Sequence, residues 1–212
     1  MRQEIAGIKI PDSQLAKDAA DILREKNNDL LWNHSNRVFL FGAVQGQQAA
    51  QPYDLELLYV SALFHDLGLT KEYSSPDLRF EVDGANAARS FLQQYQIPEE
   101  SLNLVWDAIA LHTTIGITEH KTPQVSLLYS AVGLDVMGDN FDQFPAEQRE
   151  EIVEAFPRNN FKQEIIPAFY EGFKHKPETT FGNIKADVIS HYQPEYKHKN
   201  FCECIIHSPW SE

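Results

Sequence analysis

Several ionisable residues occupy positions on helical stripes that are otherwise apolar. They are His34, His112 and Asp135, together with the adjacent pair His65 and Asp66 at the end of the apolar run 57–64. Residues three and four apart share one face of a helix, so each of these side chains is expected to face the protein interior. A buried carboxylate without a partner costs several kcal/mol, so inward Asp residues need a cation or hydrogen bonds.

The set combines imidazole nitrogens with carboxylate oxygens, a mixture that suits Zn²⁺, Fe²⁺ or Mn²⁺ better than a thiolate site would. A single inward histidine is more often a hydrogen-bonded core residue than a ligand. The joint occurrence of His34, His65, Asp66 and Asp135 favours the metal interpretation. His65 and Asp66 are neighbours, and both can reach one ion from the end of a helix.

Helical periodicity predicts the elements that would position these residues. The predicted helices are 13–27, 29–48, 54–67, 83–95, 99–113, 123–137, 145–156, 160–175 and 182–191. We find no alternating strand pattern of useful length, and the tail from Gln193 onward is predicted to be irregular. The sequence therefore predicts an all-α helical bundle that forms a single domain over 1–212. Its metal-binding core would cover 30–138, and further helices and the tail 145–212.

Composition narrows the function classes. The chain has 31 acidic and 18 basic residues and a formal net charge of −13, which argues against a nucleic-acid partner. No apolar run approaches the roughly 18 residues of a membrane span, and the N-terminal residues do not resemble a signal peptide. The two cysteines, Cys202 and Cys204, imply no disulfide framework. We expect a cytoplasmic protein that acts on a small molecule, with homo-oligomerisation left open.

Ordered motifs resemble a known superfamily. Asn33-His34-Ser35-Asn36-Arg37-Val38, then Phe64-His65-Asp66-Leu67-Gly68, then the distant Asp135 resemble the H…HD…D signature of the HD superfamily. That superfamily consists of helical metal-dependent phosphohydrolases and related enzymes. The resemblance spans about 34–138 and implies that His34, His65, Asp66 and Asp135 are metal ligands.

A narrower resemblance is to the cyanamide hydratase-like branch. It rests on HSNRVFLFG (34–42), FHDLGLT (64–70), RFEVDGANAA (79–88), WDAIALHTT (106–114) and GLDVMG (133–138). This branch implies one divalent transition metal, zinc first, with Fe²⁺, Mn²⁺ or Ni²⁺ as alternatives, and addition of water to a small nitrile-type substrate. One departure is Leu69, where fungal hydratases of the branch carry Thr.

Two positions bear on the number of ions and on the chemistry. Many binuclear HD proteins carry an extra ligand histidine four residues before a Gly-Ala pair. Here Phe80 stands at that distance from Gly84-Ala85, which favours one ion. We therefore expect His112 to transfer protons rather than to bind the ion. Asp66 is expected to serve both as a ligand and as a catalytic residue.

Further residues near the motifs are candidates for substrate binding, each with a structural alternative. Arg37 would meet an anionic substrate or pair with a carboxylate such as Asp66 or Glu81. Glu81 would orient substrate or favour a helix N-terminus. Thr113 and Thr114 would line the pocket or cap a helix.

The sequence also allows a second metal site and other functions. His198, Cys202, Cys204 and His207 are zinc-ligand types, although the one-residue cysteine spacing departs from the usual two to four. An HD phosphohydrolase acting on a nucleotide or another phosphate ester is the alternative function. Only Arg37, Lys71 and Arg79 lie near the motifs to meet its phosphate, which favours a small neutral substrate. A non-catalytic ligand-binding HD domain would have no reason to keep four inward polar groups. Oxygenase chemistry at a di-iron site is disfavoured by Phe80.

Overall fold

Helices dominate the computed structural model, which describes residues 3–26, 28–50, 52–180, 184–197 and 200–211. The helices are α1 (Gln14–Arg24), α2 (Asp29–Gln48), α3 (Leu55–Phe64), α4 (Phe80–Gln93), α5 (Glu99–Leu111), α6 (Pro123–Met137), α7 (Ala146–Ala155), α8 (Phe161–Phe173), α9 (Ile184–Tyr192) and α10 (Phe201–Ile206). The predicted all-α class is confirmed.

A two-stranded hairpin precedes the helices. Strands β1 (Glu4–Ile5) and β2 (Ile8–Lys9) pair antiparallel through a tight turn. The turn residues Ala6 and Gly7 both have positive φ angles, as a type I′ hairpin requires. Two residues per strand are too few to produce a detectable alternation in the sequence.

Helix α2 runs through the centre of the fold. Every residue from His34 to Val44 is buried, so the helix has no solvent-facing side over this stretch. A helix that is buried all round must be covered by others. Helices α3 and α6 pack against it most extensively, and α4 and α5 pack on each other and on α3. One side chain on each of α2, α5 and α6, and the end of α3, can therefore reach a common interior point.

The observed ends of several helices differ from the predicted ones. Helix α6 begins at Pro123 and ends at Met137 as predicted, and Gly138 follows with a φ of 74°. Helix α3, however, ends at Phe64, and Gly68 lies in a short 3₁₀ turn (Leu67–Leu69) instead of capping a longer helix. Gly68 is required there because a β-carbon would lie 2.0 Å from the Phe80 carbonyl oxygen.

The prediction of an irregular tail is wrong for 201–206, which form α10. Asn200 caps this helix, and its side chain accepts a hydrogen bond from the Glu203 amide at 3.3 Å. An Asn followed three residues later by Glu is a sequence signature of a helix N-terminus. That signal was present and could have predicted the helix.

Candidate metal centre

The break after α3 places two adjacent side chains at the centre of the fold. His65 is the last residue with helical dihedral angles, and Asp66 leaves them, with φ −105° and ψ 4°. Both residues are buried, with 0% and 2% of their surface exposed. The change of backbone direction lets the two neighbouring side chains face one point instead of diverging as they would within a helix.

A glycine in α4 allows that helix to approach the break closely. A β-carbon on Gly84 would lie 2.7 Å from the Phe64 carbonyl oxygen and 3.1 Å from that of His65. Any larger residue at position 84 would therefore force α4 away from the end of α3. The Gly84-Ala85 pair noted in the sequence thus has a packing role at the site.

Three donor atoms lie at the mutual distances that ligands of one ion adopt. His34 Nε2 is 3.1 Å from His65 Nε2 and 3.5 Å from Asp66 Oδ2, and His65 Nε2 is 3.3 Å from the same oxygen. Donors about 2.1 Å from a shared tetrahedral ion are about 3.4 Å apart. Within the described residues, His34, His65 and Asp66 form the group of three that could hold a metal ion.

The partners of the Nδ1 atoms fix the orientation of both imidazoles. His34 Nδ1 lies 2.6 Å from Asp135 Oδ2, and His65 Nδ1 lies 2.7 Å from the Ala62 carbonyl oxygen. Both partners are acceptors, so Nδ1 carries the hydrogen in each ring. In the neutral rings, Nε2 then presents a lone pair toward the other Nε2 and toward an anionic carboxylate. Such an arrangement is repulsive unless a cation lies among the three donors.

The surroundings of the Asp66 carboxylate favour a cation beside it. Both of its carboxylate oxygens are buried without a hydrogen-bond partner. Burial by itself raises the pKa of this carboxyl, but His65, His112 and His34 together lower it well below its usual value. Burial lowers the pKa of His65, yet the neighbouring Asp66 outweighs burial and leaves that pKa raised. A positive charge is therefore favoured at this point, either as a proton or as a metal ion.

His112 faces the same carboxylate from α5. Its Nδ1 lies 2.6 Å from the Ile109 carbonyl oxygen, and its Nε2 lies 3.6 Å from Asp66 Oδ1. This is the opposite oxygen from the one that faces His34 and His65. The ring of His112 also packs edge-on against the rings of His65 and Phe80, at 4.9 and 5.6 Å. His112 is thus beside the three-donor group and is not part of it.

That Asp135 is itself a metal ligand stays a prediction, and the structure places its carboxylate at Nδ1 of His34, whereas Nε2 of His34 faces His65 and Asp66. Asp135 is fully buried, but its oxygens lie behind His34, where Oδ2 accepts from Nδ1. Arg37 donates to both oxygens at 2.8 and 2.9 Å, and Arg158 donates to Oδ1 at 2.9 Å. Burial raises the pKa of Asp135, but the two guanidinium groups lower it far below its usual value. The structure therefore brings Asp135 to the candidate ligand His34 and leaves it outside the three-donor group.

Arg37 was predicted either to meet an anionic substrate or to pair with a carboxylate, and in the structure it pairs with a carboxylate. It is 0% exposed and bonds Asp135, not Asp66 or Glu81, and it also donates to the carbonyl oxygens of Phe156 and Pro157. Sequence analysis missed Arg158 altogether. It lies in the loop after α7, and nothing in the local pattern links it to Asp135, 23 positions earlier.

The other substrate-binding candidates lie at the edge of the site. Glu81 is buried, and its Oε1 accepts from Arg79 at 2.6 Å and from the Thr113 hydroxyl at 2.5 Å. Burial raises the pKa of Glu81, but Arg79 and then His112 leave it lowered. Thr113 is exposed, and Thr114 is half-buried with its carbonyl bonded to Thr118. The structure thus links Glu81 to Thr113 and does not connect Thr114 to either.

Helix α8 covers the site with aromatic side chains. Phe161 packs 5.2 Å from the ring of His34, and Phe169 and Phe173 pack at 6.1 and 6.2 Å from Phe80. The chain after α8 is attached by a buried ion pair between Lys176 and Asp83, 2.6 Å apart. Sequence analysis identified neither Lys176 nor its pairing with Asp83. The candidate donors are consequently buried beside aromatic side chains.

The tail does not assemble the rival metal site in the part of the chain that the structure describes. Cys204 Sγ lies 3.1 Å from the Asn200 carbonyl oxygen, and His207 Nε2 lies 3.2 Å from Glu203 on the exposed side of α10. Cys202 is exposed. The fourth candidate of that set, His198, lies outside the described residues.

Comparisons with known proteins agree with this geometry. Residues 31–164 match the HD domain, so the chain belongs to the HD domain family. It is similar to the cyanamide hydratases DDI2 and DDI3 of Saccharomyces cerevisiae. Each is 28% identical over 152 residues, which cover 70% of this chain and 68% of the yeast protein. The resemblance to the HD superfamily and its cyanamide hydratase-like branch is thus confirmed. No helix among the described residues is long and apolar enough to cross a membrane.

Proposed function

We propose that this chain is a metal-dependent hydratase or hydrolase that adds water to a small, uncharged, nitrile-type molecule such as cyanamide. The observation that carries the proposal is the convergence of two Nε2 lone pairs and the unbonded Asp66 carboxylate, all buried, within 3.5 Å of one another. Such a donor set fits a divalent transition metal, with zinc as our first choice.

A divalent ion held by these donors supplies a bound water of lowered pKa and polarises the electrophile. The protein's own residues define everything around it. Asp135 accepts the Nδ1 hydrogen of His34, which keeps that ring in the tautomer whose Nε2 is free to bind. The Ala62 carbonyl oxygen does the same for His65.

His112 is the proposed proton-transfer group. Its Nδ1 is bonded to a backbone carbonyl oxygen, so its Nε2 is the nitrogen that can take up and return a proton. That nitrogen faces Asp66 Oδ1, on the side of the carboxylate away from His34. Glu81, bonded to Thr113, borders this side and is proposed to orient substrate.

The substrate class follows from the walls and the charges. The guanidinium groups of Arg37 and Arg158 are both used to bind Asp135. Arg79 is bonded to Glu81, and Lys71 is exposed. A phosphate ester would therefore meet aromatic walls and few available cations. The similarity to two cyanamide hydratases supports a small nitrile instead.

Metal analysis combined with a substrate panel tests the proposal. We expect protein purified without added metal to contain about one equivalent of a transition metal per chain, and to convert cyanamide to urea. Removal of the metal with a chelator should abolish urea formation, and one equivalent should restore it. Phosphate release from a nucleotide panel, without hydration of cyanamide, would identify a phosphohydrolase. Absence of any turnover by metal-loaded protein would support a non-catalytic HD domain.

A further inference from the structure

Asp135 receives more cationic contacts than its charge requires. One buried guanidinium group is enough to compensate one carboxylate, and Arg37 already binds both oxygens in the two-point geometry that arginine favours. Arg158 is nevertheless placed beside it, and both arginines are buried, at 0% and 4% exposed. Charge compensation alone therefore does not explain the second arginine.

Arg158 differs from Arg37 in what it binds. Its Nη1 donates to Asp135 Oδ1 at 2.9 Å and also to the backbone carbonyl oxygen of Asp135 at 3.0 Å. It thus connects the side chain and the main chain of the same residue, which restricts rotation of the carboxylate about the bonds between them. The remaining oxygen, Oδ2, is the one bonded to His34 Nδ1.

Two aromatic rings pack against Arg158. Its guanidinium carbon lies 4.6 Å from the ring centroids of both Phe161 and Trp210. The next two residues, Asn159 and Asn160, both have left-handed φ angles, 41° and 62°. Asn tolerates this conformation better than most residues, and two in succession turn the chain sharply from Arg158 into α8. Phe161, the first residue of α8, then contacts both Arg158 and His34.

We propose that Arg158 is a positioning residue of the metal centre, which acts through Asp135 to fix the orientation of His34. Trp210 belongs to the same unit, since it covers the guanidinium group and donates from Nε1 to the Leu134 carbonyl oxygen at 2.8 Å, one residue before Asp135. The C-terminal segment thereby becomes part of the support for a ligand on α2. This inference rests on the proposed function, because it requires a metal at His34.

Metal affinity of the intact chain is the measurement. Arg158→Gln should weaken Co²⁺ binding by about 10–100-fold, the usual effect of removing a group that orients a metal ligand. It should also change the visible absorption spectrum of the bound Co²⁺, because the position of His34 changes. Arg158→Lys keeps the charge but not the two-acceptor geometry, and it should weaken binding less. Arg149→Gln is the matched control, since Arg149 also bonds a carbonyl oxygen and stacks on an aromatic ring, both of Phe141.

A double-mutant cycle shows whether Arg158 acts through Asp135. In the Asp135→Asn background, Arg158→Gln should weaken Co²⁺ binding by much less than it does in the wild-type background, because interacting residues are non-additive. Full additivity of the two effects would overturn the proposal. Wild-type affinity and spectrum in Arg158→Gln, with only a lower melting temperature of the metal-free protein, would overturn it as well. If neither Arg158 variant folds, Arg158 serves the fold and the proposal fails.

The same titrations separate this inference from the proposed function. If the wild-type chain and Arg149→Gln fail to bind one Co²⁺, the metal centre itself is wrong. If both bind Co²⁺ and Arg158→Gln binds it equally well, the centre stands and only the role of Arg158 is wrong.

Discussion

At the scale of single residues, the centre depends on Asp66 more than on any other side chain. Its two oxygens face different histidines, with Oδ2 toward His34 and His65 and Oδ1 toward His112. Neither oxygen has a hydrogen-bond partner in its buried position. A carboxylate in this state is costly without a cation, so we expect Asp66 to be a metal ligand.

Substitution of the histidines should separate ligands from the proton-transfer group. His65→Ala should remove the metal and the activity together, because one of few donors is lost. His112→Ala should keep nearly all the metal while turnover falls by about 10²–10⁴, the usual range for a positioned acid or base. Metal content and turnover are measured on the same samples, with the exposed His120→Ala as control. If His112→Ala loses its metal as His65→Ala does, His112 is a ligand and our assignment of roles is wrong.

Helical periodicity was sufficient to predict the site residues that lie on the inward face or at the end of a helix. His34, His65, Asp66 and His112 lie where an inward face or a helix end places them, and the structure brings them together. The partners of Asp135 were not predictable, because an ion pair between Arg158 and Asp135 depends on how two separate elements pack. The same holds for Lys176 and Asp83, which are 93 positions apart. Local patterns carry no information about such pairs.

At the scale of elements, the closeness of α4 to the end of α3 is the critical packing feature. Gly84→Ala would increase helix propensity by about 1 kcal/mol if nothing else changed. The new methyl group, however, would lie 2.7 Å from the Phe64 carbonyl oxygen, a rigid backbone atom. We expect a net loss of about 1–3 kcal/mol in the free energy of unfolding, the usual cost of overpacking. Denaturant titration measures it, with Ser90→Ala on the exposed face of α4 as control. Equal or higher stability of Gly84→Ala would show that α4 is not tightly packed there.

The buried ion pair between Lys176 and Asp83, which attaches the chain after α8, should stabilise the fold. Lys176→Met leaves the buried Asp83 carboxylate without its cation, and such a loss costs about 3–5 kcal/mol of unfolding free energy. Lys174→Met is the matched control, because Lys174 pairs with Glu171 on the surface and its removal should have no measurable effect. A Lys176 variant as stable as the Lys174 variant would mean that this pair does not hold the segment after α8.

Helix limits were predicted well where the sequence carries capping signals. Pro123 and Gly138 mark the two ends of α6, and Ser13 caps α1 by accepting from the Ala16 amide. The end of α3 was predicted three residues too late, because Gly68 was interpreted as a helix cap. Gly68 is needed instead because the Phe80 backbone lies against it, and the local sequence does not show this tertiary contact.

At the scale of the whole molecule, distant segments meet around one buried network. A continuous set of buried apolar side chains extends from Ile5 in the hairpin to Trp210 near the C-terminus. Trp210 covers Arg158, Arg158 binds Asp135, and Asp135 binds His34. The centre is therefore supported by elements from most of the chain, although the predicted ligands lie within 34–135. Of the described tail, α10 and Trp210 contribute to this arrangement, since Ile205 and Trp210 are buried.

The central claim is that one metal ion lies among His34, His65 and Asp66. Anomalous diffraction from crystals of the metal-loaded chain, collected at the absorption edge of the metal, measures its position directly. We predict one peak per chain, about 2.0–2.2 Å from both Nε2 atoms and from one Asp66 oxygen. Two peaks bridged by Asp66, or a peak at the C-terminal cysteines with none at the three donors, would contradict the account.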